Sequence, residues 1–108
     1  MPQDVWHLYI LDCDGTALYT GISTDPERRL DEHRQAGTEA AKSLRRYARL
    51  RRVYSLAVGP KPLALKLERR IKSLSRSDKQ SLISSAPSLD ELLELLKLHD
   101  GDDRDRPG

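Results

Sequence analysis

A chain of 108 residues with 37% hydrophobic residues, no Phe and one cysteine, Cys13, has room for a single lean core of Leu, Val, Ile and Ala, and excludes an internal disulfide and a four-cysteine zinc site. The net charge of +2 conceals three blocks: residues 1–27 carry −5, residues 28–79 carry +11 and residues 80–108 carry −4, so the middle of the chain is the part that faces a polyanion. No apolar run approaches the roughly 18 residues that cross a bilayer and the N-terminus lacks a signal-peptide layout, so the expectation is a protein of the reducing cytoplasm, neither secreted nor in a membrane.

Residues 5–11 form a short, mostly apolar run bounded by Asp12-Cys13-Asp14-Gly15, and residues 17–22 form a second, which together predict a β-hairpin. A three-residue loop of Cys13, Asp14 and Gly15 sets Tyr9 directly opposite Tyr19 on one face, whereas a two-residue Asp-Gly turn points the two rings to opposite faces. Next, Asp25-Pro26-Glu27 is a helix entry, with a capping acid, proline in the first turn and an acid behind it. The helix is expected over residues 26–34, where Arg29 and His33, four apart, share a face and Leu30 turns to the core.

Residues 35–38 interrupt the pattern, and residues 39–50 read as a basic helix-like or irregular segment around Tyr47. Residues 52–58 have strand composition and end at Gly59-Pro60. Pro62 opens a helix whose Leu63, Leu67, Ile71 and Leu74 make one buried stripe with Glu68 beside it. Ser77 with Gln80, and Ser88 with Glu91, have the spacing of capping boxes and predict two further helices, the last with Leu89, Leu92, Leu93 and Leu96 on one face. That stripe favours packing on its own domain over a dimer face, and monomer or weak homodimer is the expected state. The order β-β-α-β-α-α predicts an α+β fold: a core domain over residues 1–84, an appended amphipathic helix over 85–99 and a disordered acidic tail over 100–108.

Leu8-Tyr9-Ile10, Tyr19-Thr20-Gly21, Arg28-Arg29-Leu30 with His33, and Leu67-Glu68-Arg69 together resemble the GIY-YIG nuclease family over roughly residues 6–83. The length and the Lys72, Arg76, Lys79 run resemble the short stand-alone bacterial YhbQ-like proteins of that superfamily. Two departures stand out: His7 occupies the glycine position of the first motif, and the chain contains no Asn. The resemblance implies a three-stranded antiparallel sheet flanked by helices, a single Mg²⁺ or Mn²⁺ held chiefly by Glu68, and metal-dependent hydrolysis of nucleic-acid phosphodiesters, with selection by DNA structure. It implies a bacterial cytoplasmic setting, compatible with association with the nucleoid.

On that resemblance Tyr9, Tyr19, Arg29, His33 and Glu68 form the catalytic set. Arg29 offers a planar fork of donors to phosphoryl charge, Tyr19 orients the attacking water and takes its proton, His33 shares or replaces that role, and Tyr9 positions water or phosphate. Taken singly, each has a plainer explanation: a packed tyrosine, a solvated arginine, a hydrogen-bonded histidine, a glutamate paired with Lys72 at i+4. Their conjunction favours one site. Trp6 and Tyr54 read as core, and Cys13 as a hairpin-loop residue. Arg28, Arg45, Arg46, Arg49, Lys72 and Arg76 are the expected nucleic-acid contacts, with Arg51 and Arg52 beside them. Phosphate contacts of this kind do not separate DNA from RNA. The alternative is a weak or inactive nucleic-acid-binding module of the same fold.

Overall fold

In the computed structural model, which describes residues 4–34 and 47–97, the apolar run at the start of the chain becomes the central strand. Strand β1 (Trp6–Cys13) lies between β2 (Ala17–Ser23) and β3 (Leu50–Gly59), antiparallel to both, in the order β2-β1-β3. A strand covered on both faces cannot alternate apolar with polar, and Leu8, Tyr9, Ile10 and Leu11 are accordingly all buried. Helix α1 (Pro26–Arg34) follows the hairpin, and α2 (Lys61–Lys72), α3 (Arg76–Ser85) and α4 (Leu89–Leu95) follow β3. The α+β fold with a three-stranded antiparallel sheet is therefore present as expected.

The hairpin closes in a three-residue loop, as predicted, but one made of Asp14, Gly15 and Thr16 and not of Cys13, Asp14 and Gly15. Asp14 and Gly15 both take positive φ and the Thr16 amide donates to the Cys13 carbonyl at 2.9 Å, so the turn centres on Asp14-Gly15, while Cys13 pairs with Ala17 and leaves Thr16 outside the ladder. Tyr9 consequently stands opposite Gly21, and Tyr19 opposite Leu11. The register has slipped by two residues, which moves partners but preserves faces, so Tyr9 and Tyr19 still share one side. Asp14 gives the reason: its carboxylate accepts the Ala48 amide at 2.9 Å and the Arg49 amide at 2.6 Å, and its own amide donates to the Arg49 carbonyl at 2.9 Å. Those bonds fix the hairpin tip to the chain entering β3, a contact over some 35 residues that no local pattern encodes. Cys13, expected in the loop, is instead the last, fully buried residue of β1.

One strand boundary and one helix boundary also move. The strand predicted from residue 52 begins at Leu50. Helix α3 is capped by Ser75, whose hydroxyl accepts the Asp78 amide at 3.0 Å, in place of the expected Ser77. The second capping box is as predicted, with Ser88 and Glu91 exchanging bonds at 2.9 and 3.3 Å. Helix α4 packs on the chain's own core: Leu92 and Leu96 are buried in one cluster with Leu8, Ile10, Leu67 and Ile71, with Leu89 and Leu93 against it. Tyr54 is buried there too and donates from its hydroxyl to the Pro87 carbonyl at 2.7 Å, while Trp6 is partly buried against the cluster. On the other face Tyr9, Leu11, Cys13, Leu30 and Leu50 make a second, smaller cluster under α1.

Candidate functional site

The smaller cluster holds Tyr9 and Tyr19, with His33 against them. Tyr9 projects from the central strand across its neighbour at Gly21; a Cβ there would lie 2.6 Å from the Tyr9 hydroxyl and 2.7 Å from Cζ. The glycine is thus the floor over which the ring lies, and Tyr9, 2% exposed, has little room to move away. Its ring centroid is 6.5 Å from that of Tyr19, and Tyr19 meets the His33 ring edge to face at 5.6 Å. The Tyr9 hydroxyl lies 3.4 Å from His33 Nε2, the donor being set by the tautomer of the ring. β1, β2 and α1 therefore each contribute one ring to a single packed group.

Arg29, one turn before His33, borders this group. Its Nη1 donates to Glu32 at 3.1 Å, and Arg28 approaches the other Glu32 oxygen at 3.7 Å with its own side chain 70% exposed. Burial, together with the nearby Tyr19, pushes the Tyr9 phenol up to about 12, against a pull in the other direction from the Arg29 guanidinium. Tyr9 is therefore a proton donor at neutral pH. Burial, aided by the Arg29 charge, pushes His33 below its ordinary value, so the imidazole is neutral, and its Nδ1 is buried with no hydrogen-bond partner among the described residues.

Glu68 comes from the other side of the sheet, on α2 next to the buried Leu67. Its side chain is 17% exposed, its oxygen is 3.4 Å from Lys72 Nζ, and its charge reaches Tyr9, raising that phenol further. Among the described residues no group of three or more His, Cys, Asp or Glu could enclose a metal ion. A single sheltered carboxylate fits an ion that keeps most of its water and takes phosphate oxygens for the rest, as Mg²⁺ does, and does not fit a closed protein cage.

The expected nucleic-acid contacts fall into three groups. Arg28 and Arg49 are exposed, and Lys72 is half-exposed beside Glu68. Arg76 is occupied within the fold, donating from Nη1 to the Thr16 carbonyl at 2.5 Å and from Nη2 to Gly15 at 3.4 Å. Arg45 and Arg46 lie outside the described residues. Gly21, the end of the Tyr19-Thr20-Gly21 motif, carried a legible signal of its own, since a glycine inside a strand is a sign of close approach. Glu32 was equally readable, three residues after Arg29 on the same helix.

The model of the GIY-YIG catalytic domain matches residues 5–81. The chain is 46% identical over 88 residues to a UPF0213 protein of Yersinia enterocolitica, covering 82% of this chain and 89% of the relative. It is 45% identical over 89 residues to a UPF0213 protein of Yersinia pestis, covering 82% and 92%. Among solved structures, the solution NMR structure of a UPF0213 protein from Bacillus halodurans is 29% identical, covers 88% of this chain and 99% of that one, and superposes with a TM-score of 0.50.

Proposed function

The chain belongs to the GIY-YIG family, and from that premise we propose that it is a divalent-metal-dependent endonuclease that hydrolyses phosphodiester bonds in DNA and chooses its target by the shape of the substrate. The observation that carries this reading is the group of Tyr9, Tyr19 and His33 packed beside Arg29. A cluster serving stability alone is better filled by apolar side chains, because a buried imidazole nitrogen without a partner is a cost.

Glu68, whose carboxylate lies 3.4 Å from Lys72 Nζ, would hold one Mg²⁺ or Mn²⁺. When bound, such an ion polarises the phosphoryl oxygen and stabilises the leaving oxyanion. Arg29, held by Glu32 with its fork ready, donates to charge that grows on the equatorial oxygens. Tyr19 is the more accessible of the two phenols and orients the attacking water through its oxygen; it is the phenolate form that takes the water's proton. Tyr9 keeps its proton and acts as a hydrogen-bond donor. His33, 1% exposed, is screened from water and serves as a positioning residue that fixes both tyrosine rings. Arg28, Arg49 and Lys72 supply phosphate contacts along the basic middle of the chain.

The test is cleavage of labelled single-stranded, duplex, flap and branched DNA in Mg²⁺ and in Mn²⁺ by the wild type, Glu68→Ala and Tyr19→Phe. Metal-dependent cutting that falls by about 10²-fold or more in both variants is the expected result. Undiminished binding with no cutting of any substrate by the wild type would replace the nuclease with a nucleic-acid-binding module.

A further inference from the structure

His33 belongs to two spaces. It meets Tyr9 and Tyr19, and it also lines a cavity of about 460 Å³, bounded by Arg34 at the end of α1 and by Tyr47 and residues 48–51 leading into β3. A cavity of this size is within the range of small-molecule sites, roughly 300–1,000 Å³. Its lining combines the Tyr47 ring with Arg34, Arg49 and Arg51 and, among the described residues, contains no carboxylate. The walls are held by contacts distant in sequence. Asp14 takes the Ala48 and Arg49 amides at 2.9 and 2.6 Å, and Arg34 donates from Nε and Nη2 to the Leu50 carbonyl at 3.3 and 3.0 Å. The chain between Tyr47 and β3 is thereby fixed against α1, with the Arg49 and Arg51 side chains left exposed.

We infer that this cavity receives one unstacked nucleotide flanking the scissile phosphate, with its base against Tyr47 and its phosphate on Arg49 and Arg51. A ring beside guanidinium groups is the pairing that binds single strands, since every base has a face to stack and every linkage a charge to neutralise. A paired base does not enter a concave site without leaving its stack, and that step is least costly in a strand already open. The cavity therefore selects single-stranded or frayed DNA over intact duplex. Because His33 is a wall shared with the tyrosine group, a nucleotide held there delivers the next linkage to those residues. This inference deepens the endonuclease reading and rests on it only for that last placement.

The test is metal-free binding, by fluorescence anisotropy, of a labelled single-stranded DNA and a duplex of equal length to the wild type, Tyr47→Leu and Tyr47→Phe. Tyr47→Leu keeps apolar bulk against the neighbouring cluster and removes the stacking face. It is expected to weaken single-strand binding about tenfold and leave duplex binding unchanged, while Tyr47→Phe behaves as wild type. Equal losses on both forms, or no loss, would overturn the inference. A second measurement needs no variant: a thymidine dinucleotide titrated into the wild type should shift the backbone amide resonances of His33 and residues 48–51, and a titration that leaves them unmoved counts against the cavity. Preference for single strands with no cleavage under any metal would sink the nuclease and keep the cavity. Cleavage without any such preference would do the reverse.

Discussion

The two faces of the sheet are built from one strand and differ in kind. Toward α2, α3 and α4, Leu8 and Ile10 meet Val58, Leu63, Leu67, Ile71, Leu82 and Leu92 in an apolar cluster, with Thr20 buried opposite Ile10 and its hydroxyl without a partner among the described residues. Toward α1, Tyr9, Leu11 and Cys13 meet Leu30 and Leu50, then Tyr19 and His33, whose buried Nδ1 has no partner among the described residues. The alternation of β1 thus divides the work: its even residues hold the fold together and Tyr9, among the odd ones, enters the site. The larger face supplies the rigidity against which the smaller one keeps polar groups in place.

If that division is real, substitutions on the two faces should separate stability from activity. Leu67→Ala has the largest expected effect: it empties a fully buried position under the sheet and should cost about 2–5 kcal/mol of unfolding free energy in urea titration. The fraction that remains folded should cut DNA at near the wild-type rate. A loss under about 1 kcal/mol would mean that this face is more yielding than its packing indicates.

Gly21→Ala reverses the pattern. The added methyl meets the Tyr9 hydroxyl at 2.6 Å, and because that ring is buried it must shift with its neighbours. Overpacking of this kind costs about 1–3 kcal/mol, whereas displacing a reacting group by about an ångström costs on the order of 10²-fold in rate. Single-turnover cleavage by Gly21→Ala should therefore drop about 10²-fold while the protein still unfolds cooperatively. Cleavage within twofold of wild type would show that the position of Tyr9 over Gly21 does not govern the reaction.

A smaller effect is expected from Asp14→Ala, which removes the carboxylate under the Ala48 and Arg49 amides. Bonds of that charged kind are worth about 1.5–3 kcal/mol when buried and less at this exposed tip. The expected signature is faster amide exchange at Ala48 and Arg49 with the rest of the sheet unchanged. Exchange that is unaltered there would remove Asp14 as the anchor of that segment.

What could be read from the sequence followed from periodicity and caps. The order of elements, the span of α1, the Leu63, Leu67 and Ile71 stripe of α2, which Leu74 lies beyond, and the Ser88-Glu91 capping box all express rules that act within a few residues. The hairpin register was out of reach because Asp14 answers to Arg49, and the start of α3 was misplaced because Ser75 and Ser77 carry the same capping chemistry two residues apart. Faces survived the register slip because the side-chain period is two, which is why Tyr9 and Tyr19 were placed together correctly for a partly wrong reason. The depth of His33 was not legible at all, since a histidine four residues after an arginine reads the same on an exposed helix as on a buried one.

That depth makes the smallest of the predicted effects the most specific to the α1 face. Tyr9 and Tyr54 lie on opposite faces, and burial pushes both up to about 12, so both keep their protons in the folded protein between pH 10 and 12, where the unfolded chain loses them. Alkali should therefore weaken the two faces alike as pH rises through that window. Acid should not. His33 is lowered from its ordinary 6.5, so between that value and its folded value the unfolded chain binds a proton that the folded one refuses. Its contribution to stability is fully present above pH 6.5 and is lost as pH falls through the folded value. Glu91, held low at the α4 cap by the Ser88 amide, enters only below its ordinary 4.5, on the opposite face. Thermal unfolding of wild type and His33→Gln across pH 4 to 8 should then show a decline in the wild type beginning near 6.5 that the variant lacks, with a common decline in both below about 4.5. Parallel curves through the upper window would mean that His33 takes up its proton as readily folded as unfolded, and the neutral imidazole would have to be withdrawn from the site.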